Sequence, residues 1–281
     1  MHNLINLEKT ATQVRRDVLR MVHAVQSGHP GGALGCTEFM VALYFEIMNQ
    51  NPGKFTMEGN NEDVFFLSNG HLSALWYSVL ARKGYFPVEE LATFRKINTR
   101  LQGHPATAEG LPGVRVASGS LGQGLSVAIG TAMAKKLNND KSLVFTLHGD
   151  GELDEGQIWE AAMFAAGHKV DNLIATIDCN GQQIDGPTDK VMPLGDLRAK
   201  WEAFGWDVME MNGNDMKSVI DGLNNAKQRC FKSKPVVIIM KTEMGFGVDF
   251  MQGTHHWHGV APNDEQLNNA LNQLPLTLFD Y

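Results

Sequence analysis

His148-Gly149-Asp150-Gly151 is followed, thirty positions after Asp150, by Asn180. Short apolar runs precede both, so each is expected to leave the carboxyl end of a strand. A carboxylate, an amide oxygen and a free backbone carbonyl form a donor set for a hard divalent cation such as Mg2+. A helix expected from about Glu155 would aim its N-terminus at the same rim, where free N–H groups favour phosphate oxygens. Gly149 and Gly151 permit close backbone approach. Together these features predict a magnesium diphosphate site. Taken singly, Asp150 reads as a turn cap and Asn180-Gly181 as an ordinary turn. Asp154 stands where a dinucleotide fingerprint needs its third glycine, and no P-loop lysine follows, which argues against a nicotinamide-binding protein.

The elements needed to position these residues are legible. Leu7, Ala11, Val14, Val18, Met21 or Val22, and Val25 form one helical stripe that stops at Ser27-Gly28-His29-Pro30-Gly31-Gly32. Thr37 reads as the N-cap of a helix carrying Phe39, Leu43 and Ile47. Strands are expected at Asp63–Leu67, Leu143–Leu147, Leu173–Asp178, Trp206–Met209 and Val236–Met240. Helices are expected through about Lys83, over Leu121–Leu137, Glu155–His168, Asp196–Phe204 and Met216–Arg229. Short apolar strands alternating with helices predict an α/β fold: a doubly wound, mostly parallel sheet with helices on both faces. No composition shift marks a boundary, so residues 1–281 read as a single domain with a polar C-terminal tail after about residue 260. The glycine-rich segments fall at the sheet edge where such folds bind ligands.

The 281 residues carry a net charge of −7, which argues against a nucleic-acid partner. The longest apolar run, Pro235–Met240, is far short of the ~20 residues of a membrane span. Three widely spaced cysteines, with no CxxC, oppose a disulfide framework. A signal core is absent, and Glu8 and Asp17 are unlike a transit peptide. The expectation is a reduced, cytoplasmic protein with no membrane association.

The stretch from Gly149-Asp150-Gly151 to Asn180 resembles the thiamine diphosphate motif. Further segments resemble transketolase: Ser27-Gly28-His29-Pro30, Leu67-Ser68-Asn69-Gly70-His71, Gly103-His104-Pro105, Gly119-Ser120-Leu121-Gly122-Gln123-Gly124, and Lys241-Thr242 through Gly245-Phe246-Gly247 to Gly253-Thr254-His255. Their order and their span, His29 to His258, make the resemblance specific. It implies a thiamine diphosphate-binding fold and roles for matched positions. Asp150, Asn180 and the Gln182 carbonyl would hold Mg2+, or another divalent cation such as Ca2+ or Mn2+, against the diphosphate. The Gly151 N–H, His71 and His255 would contact the diphosphate. Leu121 and Ile184 would flank the thiazolium ring, and the Gly119 backbone would meet the aminopyrimidine. His29, His104 and His255 would line the substrate channel. Glu155 would join a carboxylate network between active sites.

Departures from the family pattern accompany the resemblance. Ala106 replaces the acid that commonly follows Gly-His-Pro, Ser120 replaces a proline, and Gln182 stands where isoleucine is frequent. In the family this stretch is only the diphosphate-binding part. A second domain carries the glutamate that protonates the aminopyrimidine and most sugar-phosphate contacts. The resemblance therefore implies the N-terminal subunit of a split transketolase. A C-terminal partner subunit would complete each site in a heterotetramer with two copies of each. The pair would transfer a two-carbon glycolaldehyde unit from a ketose phosphate to an aldose phosphate. Alternatives are a subunit of a 2-oxo acid enzyme or a deoxyxylulose phosphate synthase, and a non-catalytic regulatory paralogue.

The remaining candidates have plainer readings. His23 is read as a surface or packing residue, and His2, His148 and His168 carry no matched role. Clustered His255, His256 and His258 suggest zinc, but no cysteine or carboxylate stands at ligand spacing. Glu152, Asp154 and Glu155 read as favourable charge at a helix N-terminus. Trp159, Ala161, Phe164, Trp201 and Trp206 read as core, and Cys179 as a small, inert buried side chain.

Overall fold

The computed structural model describes residues 4–281; His2 lies outside them. Helix α1 spans Leu4–Ala24, α2 Pro30–Gly35 and α3 Thr37–Ala42, which runs on through a π-helical turn, Leu43–Ile47. Then come β1 (Val64–Leu67), α4 (Ser73–Lys83), α5 (Gly124–Leu137), β2 (Val144–Gly149), α6 (Gly156–Gly167) and β3 (Leu173–Cys179). The hairpin of β4 (Gln182–Gln183) and β5 (Gly186–Pro187) leads to α7 (Thr188–Val191) and α8 (Leu197–Ala203). β6 (Asp207–Asn212), α9 (Met216–Arg229), β7 (Val236–Lys241) and α10 (Asp264–Gln273) follow.

Five strands form a parallel sheet in the order β1-β2-β3-β7-β6. β1, β2, β3 and β7 are buried on both faces because helices cover both, while the edge strand β6 exposes Glu210 and Asn212. Alternation along the strands divides the core in two. Phe65, Leu67, Phe145, Leu147, Ile174 and Ile238 pack with α1, α3, α4 and α9. Val64, Phe66, Val144, Ala175, Ile177 and Val237 pack with α5, α6 and α8. This is the doubly wound arrangement expected.

Several local expectations are corrected. Thr37 is not an N-cap: it lies inside the first turn of α3, and its hydroxyl donates back to the Ala33 carbonyl (2.9 Å). The glycine-rich stop after α1 is short, because Pro30, with its preset φ, starts α2 at once. The polar tail expected after about residue 260 contains a helix. A capping box at Asn263 and Gln266 starts α10, and Asp280 and Tyr281 dock on Arg16 and Arg20 of α1. Phe164 is exposed and stacks on His168 at the outer side of α6, whereas Trp201 and Trp206 are buried.

Candidate active site

The carboxyl ends of β1, β2, β3 and β7 deliver one loop each to a common rim. Those loops enclose a cavity of about 270 Å³ lined in part by His29, Asn69, His71, His104, Gly119 and Leu121. Asp150, Gly151, Asn180, Gln182, Ile184 and His258 complete the wall that matters for chemistry. Strands β2 and β3 are neighbours, so Asp150 and Asn180 meet, as their spacing implied.

Asp150 ties the two loops together. One carboxylate oxygen accepts the Gly151 N–H (2.8 Å) and the other the Gly181 N–H (2.7 Å). Gly181 has φ +72°, a conformation costly for other residues. The Asn180 amide donates to Asp178 (2.8 Å), and its oxygen accepts the Gln182 N–H (2.9 Å). Opposite Gln182 in the β4–β5 hairpin stands Pro187, which has no N–H to offer the Gln182 carbonyl. Burial, with Asp178 beside it, pushes the Asp150 carboxyl up to about 7. Asp178 is also raised by burial, against the hydrogen bonds it accepts from Thr242, Cys36 and Asn180.

A buried carboxylate with spare lone pairs, an amide oxygen and an open carbonyl suit a hard cation that also takes phosphate oxygens. The Gln182 side-chain oxygen is a buried acceptor without a partner. The residues present therefore fit a metal–diphosphate group. Among the described residues no three His, Cys, Asp or Glu side chains are grouped to hold a metal ion.

The N-terminus of α6 does not reach the cavity wall. A 3-10 turn, Gly151–Asp154, precedes that helix, and the cavity lining on this segment ends at Glu152. Glu155 caps α6 through its backbone only and is exposed, outside the cavity. The Gly151 N–H is turned to Asp150.

Glu152 is a cavity-lining residue whose contacts sequence reasoning missed. It is 2 % exposed. It accepts the Ser68 hydroxyl, the Gly122 N–H (2.8 Å) and the Gly149 N–H (3.1 Å), and His148 stands 3.5 Å away. These contacts hold its carboxyl below the usual range despite burial. One carboxylate thus clamps three site loops, and the reading as helix-end charge is corrected. The one available signal was Glu152 lying two residues past Asp150 in a loop crowded with glycine.

Four imidazoles cluster on the opposite wall. Ring centres lie 5.1 Å apart for His29 and His71, 6.2 Å for His29 and His104, 5.5 Å for His29 and His258, and 5.1 Å for His71 and His258. Burial, reinforced by His258, Arg95 and His104, lowers His29 to about 4. Burial likewise lowers His71, His104 and His258, so all four are neutral near pH 7. His29 and His258 each keep a buried Nδ1 without a partner. Gly119, at φ +129°, permits this packing: a Cβ there would sit 2.9 Å from the His104 ring.

His255 is a correction. It does not line the cavity, and its ring lies against His256. The 3-10 turn His255–Trp257 carries the chain round so that His258, at its end, faces His29 and His71. Ile184 stands at the mouth, 62 % exposed. His23 bonds Asp264 at the surface (2.8 Å), and burial raises Cys179 to about 11, which leaves it an unreactive thiol.

Residues 7–277 match the family described as transketolase, thiamine diphosphate binding domain. The chain belongs to the transketolase family. It is 40% identical to an apulose-4-phosphate transketolase subunit of Phocaeicola vulgatus, over 95% of this chain and 93% of that one. It is 38% identical to the 6-deoxy-6-sulfo-D-fructose transketolase subunit SqwG of a Clostridium species, over 96% of each chain. The fold is similar to solved transketolase from Campylobacter jejuni, with TM-score 0.86 and 34% identity over 98% of this chain. Only 43% of that transketolase is covered, so this chain spans about two-fifths of its length. No helix among the described residues is long and apolar enough to cross a membrane.

Proposed function

We propose that this chain is the diphosphate-holding subunit of a transketolase that works with a C-terminal partner subunit, as two copies of each in the cytoplasm. The pair transfers a glycolaldehyde unit from a ketose phosphate to an aldose phosphate. The observation that carries this reading is the facing of four clustered imidazoles across the cavity from the Asp150–Asn180 pair.

Asp150, Asn180 and the Gln182 carbonyl would hold Mg2+, or Ca2+ or Mn2+, against the diphosphate. His71 would meet the diphosphate itself, and the Gly151 N–H would do so on leaving the Asp150 oxygen that it bonds without the cofactor. Leu121 and Ile184 would make apolar walls for the thiazolium, and the open Gly119 backbone would face the aminopyrimidine. When bound, thiamine diphosphate supplies the electron sink for cleaving the bond beside a ketose carbonyl. A neutral imidazole has one donor and one acceptor nitrogen, so His29, His104 and His258 would bind sugar hydroxyls and move their protons. Exposed Glu155 would meet its carboxylate partner across the interface between sites.

Co-expression with the candidate partner subunit, followed by a two-carbon transfer assay, tests this. The donors should include xylulose 5-phosphate, the sugars named for the relatives, and pyruvate. The expected result is transfer from a ketose donor by the pair and none by this chain alone. Turnover of pyruvate instead, or transfer by the isolated chain, would reject the reading.

A further inference from the structure

Arg95 has no part in the roles above, yet it sits behind the histidine wall. One guanidinium nitrogen donates to the Ser27 hydroxyl (2.7 Å), two residues before His29. Another donates to the Gly103 carbonyl (3.3 Å), one residue before His104. That carbonyl also accepts the Ser73 hydroxyl (2.7 Å). Gly103 lies so close that a Cβ there would be 2.8 Å from the guanidinium carbon. Arg95 is held in the left-handed region, φ +55°, uncommon for a residue other than glycine. Its Nε is buried without a partner. A left-handed backbone and a half-buried cation with one unpaired buried nitrogen are retained where two histidine loops must be joined.

We propose that Arg95 is a positioning residue, its planar fork fixing the spacing of His29 and His104 and holding positive charge behind both rings. The groups acting on His29 are His258, Arg95 and His104, and Arg95 acts on His104. Asp185 acts one ring further out, on His258, and Glu109 acts on Tyr77, which faces Arg95. Among the described residues, Arg95 is therefore the one permanent cation acting on this pair.

The proposal rests on the reading of His29 and His104 as substrate-facing groups, but its main test needs neither partner nor substrate. Histidine ring titrations by NMR would be compared in the full chain and in Arg95→Asn, Arg95→Met and Arg95→Lys. Asparagine tolerates the left-handed backbone, so Arg95→Asn keeps the test available if Arg95→Met does not fold. Loss of the charge should raise the His29 and His104 midpoints by on the order of one pH unit, with surface His23 unmoved. Arg95→Lys keeps the charge without the fork, so its midpoints should stay low. In the reconstituted pair, Arg95→Lys should still lose roughly tenfold in kcat, the scale of a misplaced catalytic group. Unmoved midpoints in Arg95→Asn, or full kcat in Arg95→Lys, would overturn the proposal. If the pair proves inactive on sugars while the midpoints shift, the functional reading fails and the charge placement stands.

Discussion

Asp150 makes the stability of this chain depend on pH in a way that a cation should reverse. Its carboxyl is raised from 3.8 to about 7, so the native state binds this proton more tightly than the unfolded chain does. The stability it contributes is complete below about pH 4 and lost as pH rises through about 7. Between about pH 5 and pH 8 the loss amounts to about 3 kcal/mol. The histidines tilt the curve the other way. His29, lowered from 6.5 to about 4, contributes stability present above 6.5 and lost as pH falls through about 4. A single curve mixes both, and Asp150→Asn separates them. The amide offers one oxygen where the carboxylate accepted two N–H groups, costing about 1–2 kcal/mol at every pH. Urea unfolding of both proteins should show the gap between them shifting by about 3 kcal/mol from about pH 5 to pH 8, in favour of the asparagine variant at the higher pH. Mg2+ with thiamine diphosphate at a hundredfold excess over Kd should then stabilise the parent by about 2.7 kcal/mol and leave the variant unmoved. A gap that stays constant with pH, or a variant that gains as much from the ligands, refutes the assignment of Asp150.

Other outcomes follow from named contacts. Glu152→Ala leaves the Ser68, Gly122 and Gly149 donors unpaired, and should cost about 3–5 kcal/mol, a fall of roughly 5–8 °C in Tm for a chain of this size. Calorimetry showing a fall under about 2 °C would contradict the clamp. His258→Ala should lower kcat/KM of the reconstituted pair by roughly 100-fold, while His255→Ala stays within about threefold; steady-state kinetics giving the reverse order would restore His255 to the site. Gly119→Ala forces an L-residue into φ +129° against the His104 ring, and should cut kcat by about tenfold or more while Tm falls only a few degrees. Unchanged kinetics would show that His104 gives way freely.

The sheet was readable because β1, β2, β3 and β7 are buried on both faces and appear as short apolar runs between polar segments, whereas the edge strand β6 alternates with exposed Glu210 and Asn212. Asp150 and Asn180 were readable for a related reason: each follows such a run directly, and adjacent strands bring them together. Glu152 was not. Its meaning comes from Ser68 and Gly122, which reach it from loops 84 and 30 positions away, and an isolated acidic run has the same composition as a helix start. The choice between His255 and His258 depended on a single 3-10 turn, which three closely spaced histidines do not encode. The docked C-terminal segment was hidden because its apolar face is sparse, Leu267, Ala270 and Leu274, and its last residues are anchored by charged pairs with α1.

The cavity draws on segments scattered from His29 to His258, each supplying a short part of the wall. Such a pocket has no partial form: during folding it arises only after β1, β2, β3 and β7 are all seated. Local opening of any one rim loop would erase it while most of the sheet persists. Ligand uptake is thus a sensitive gauge of intactness, able to report damage that far-UV circular dichroism passes over.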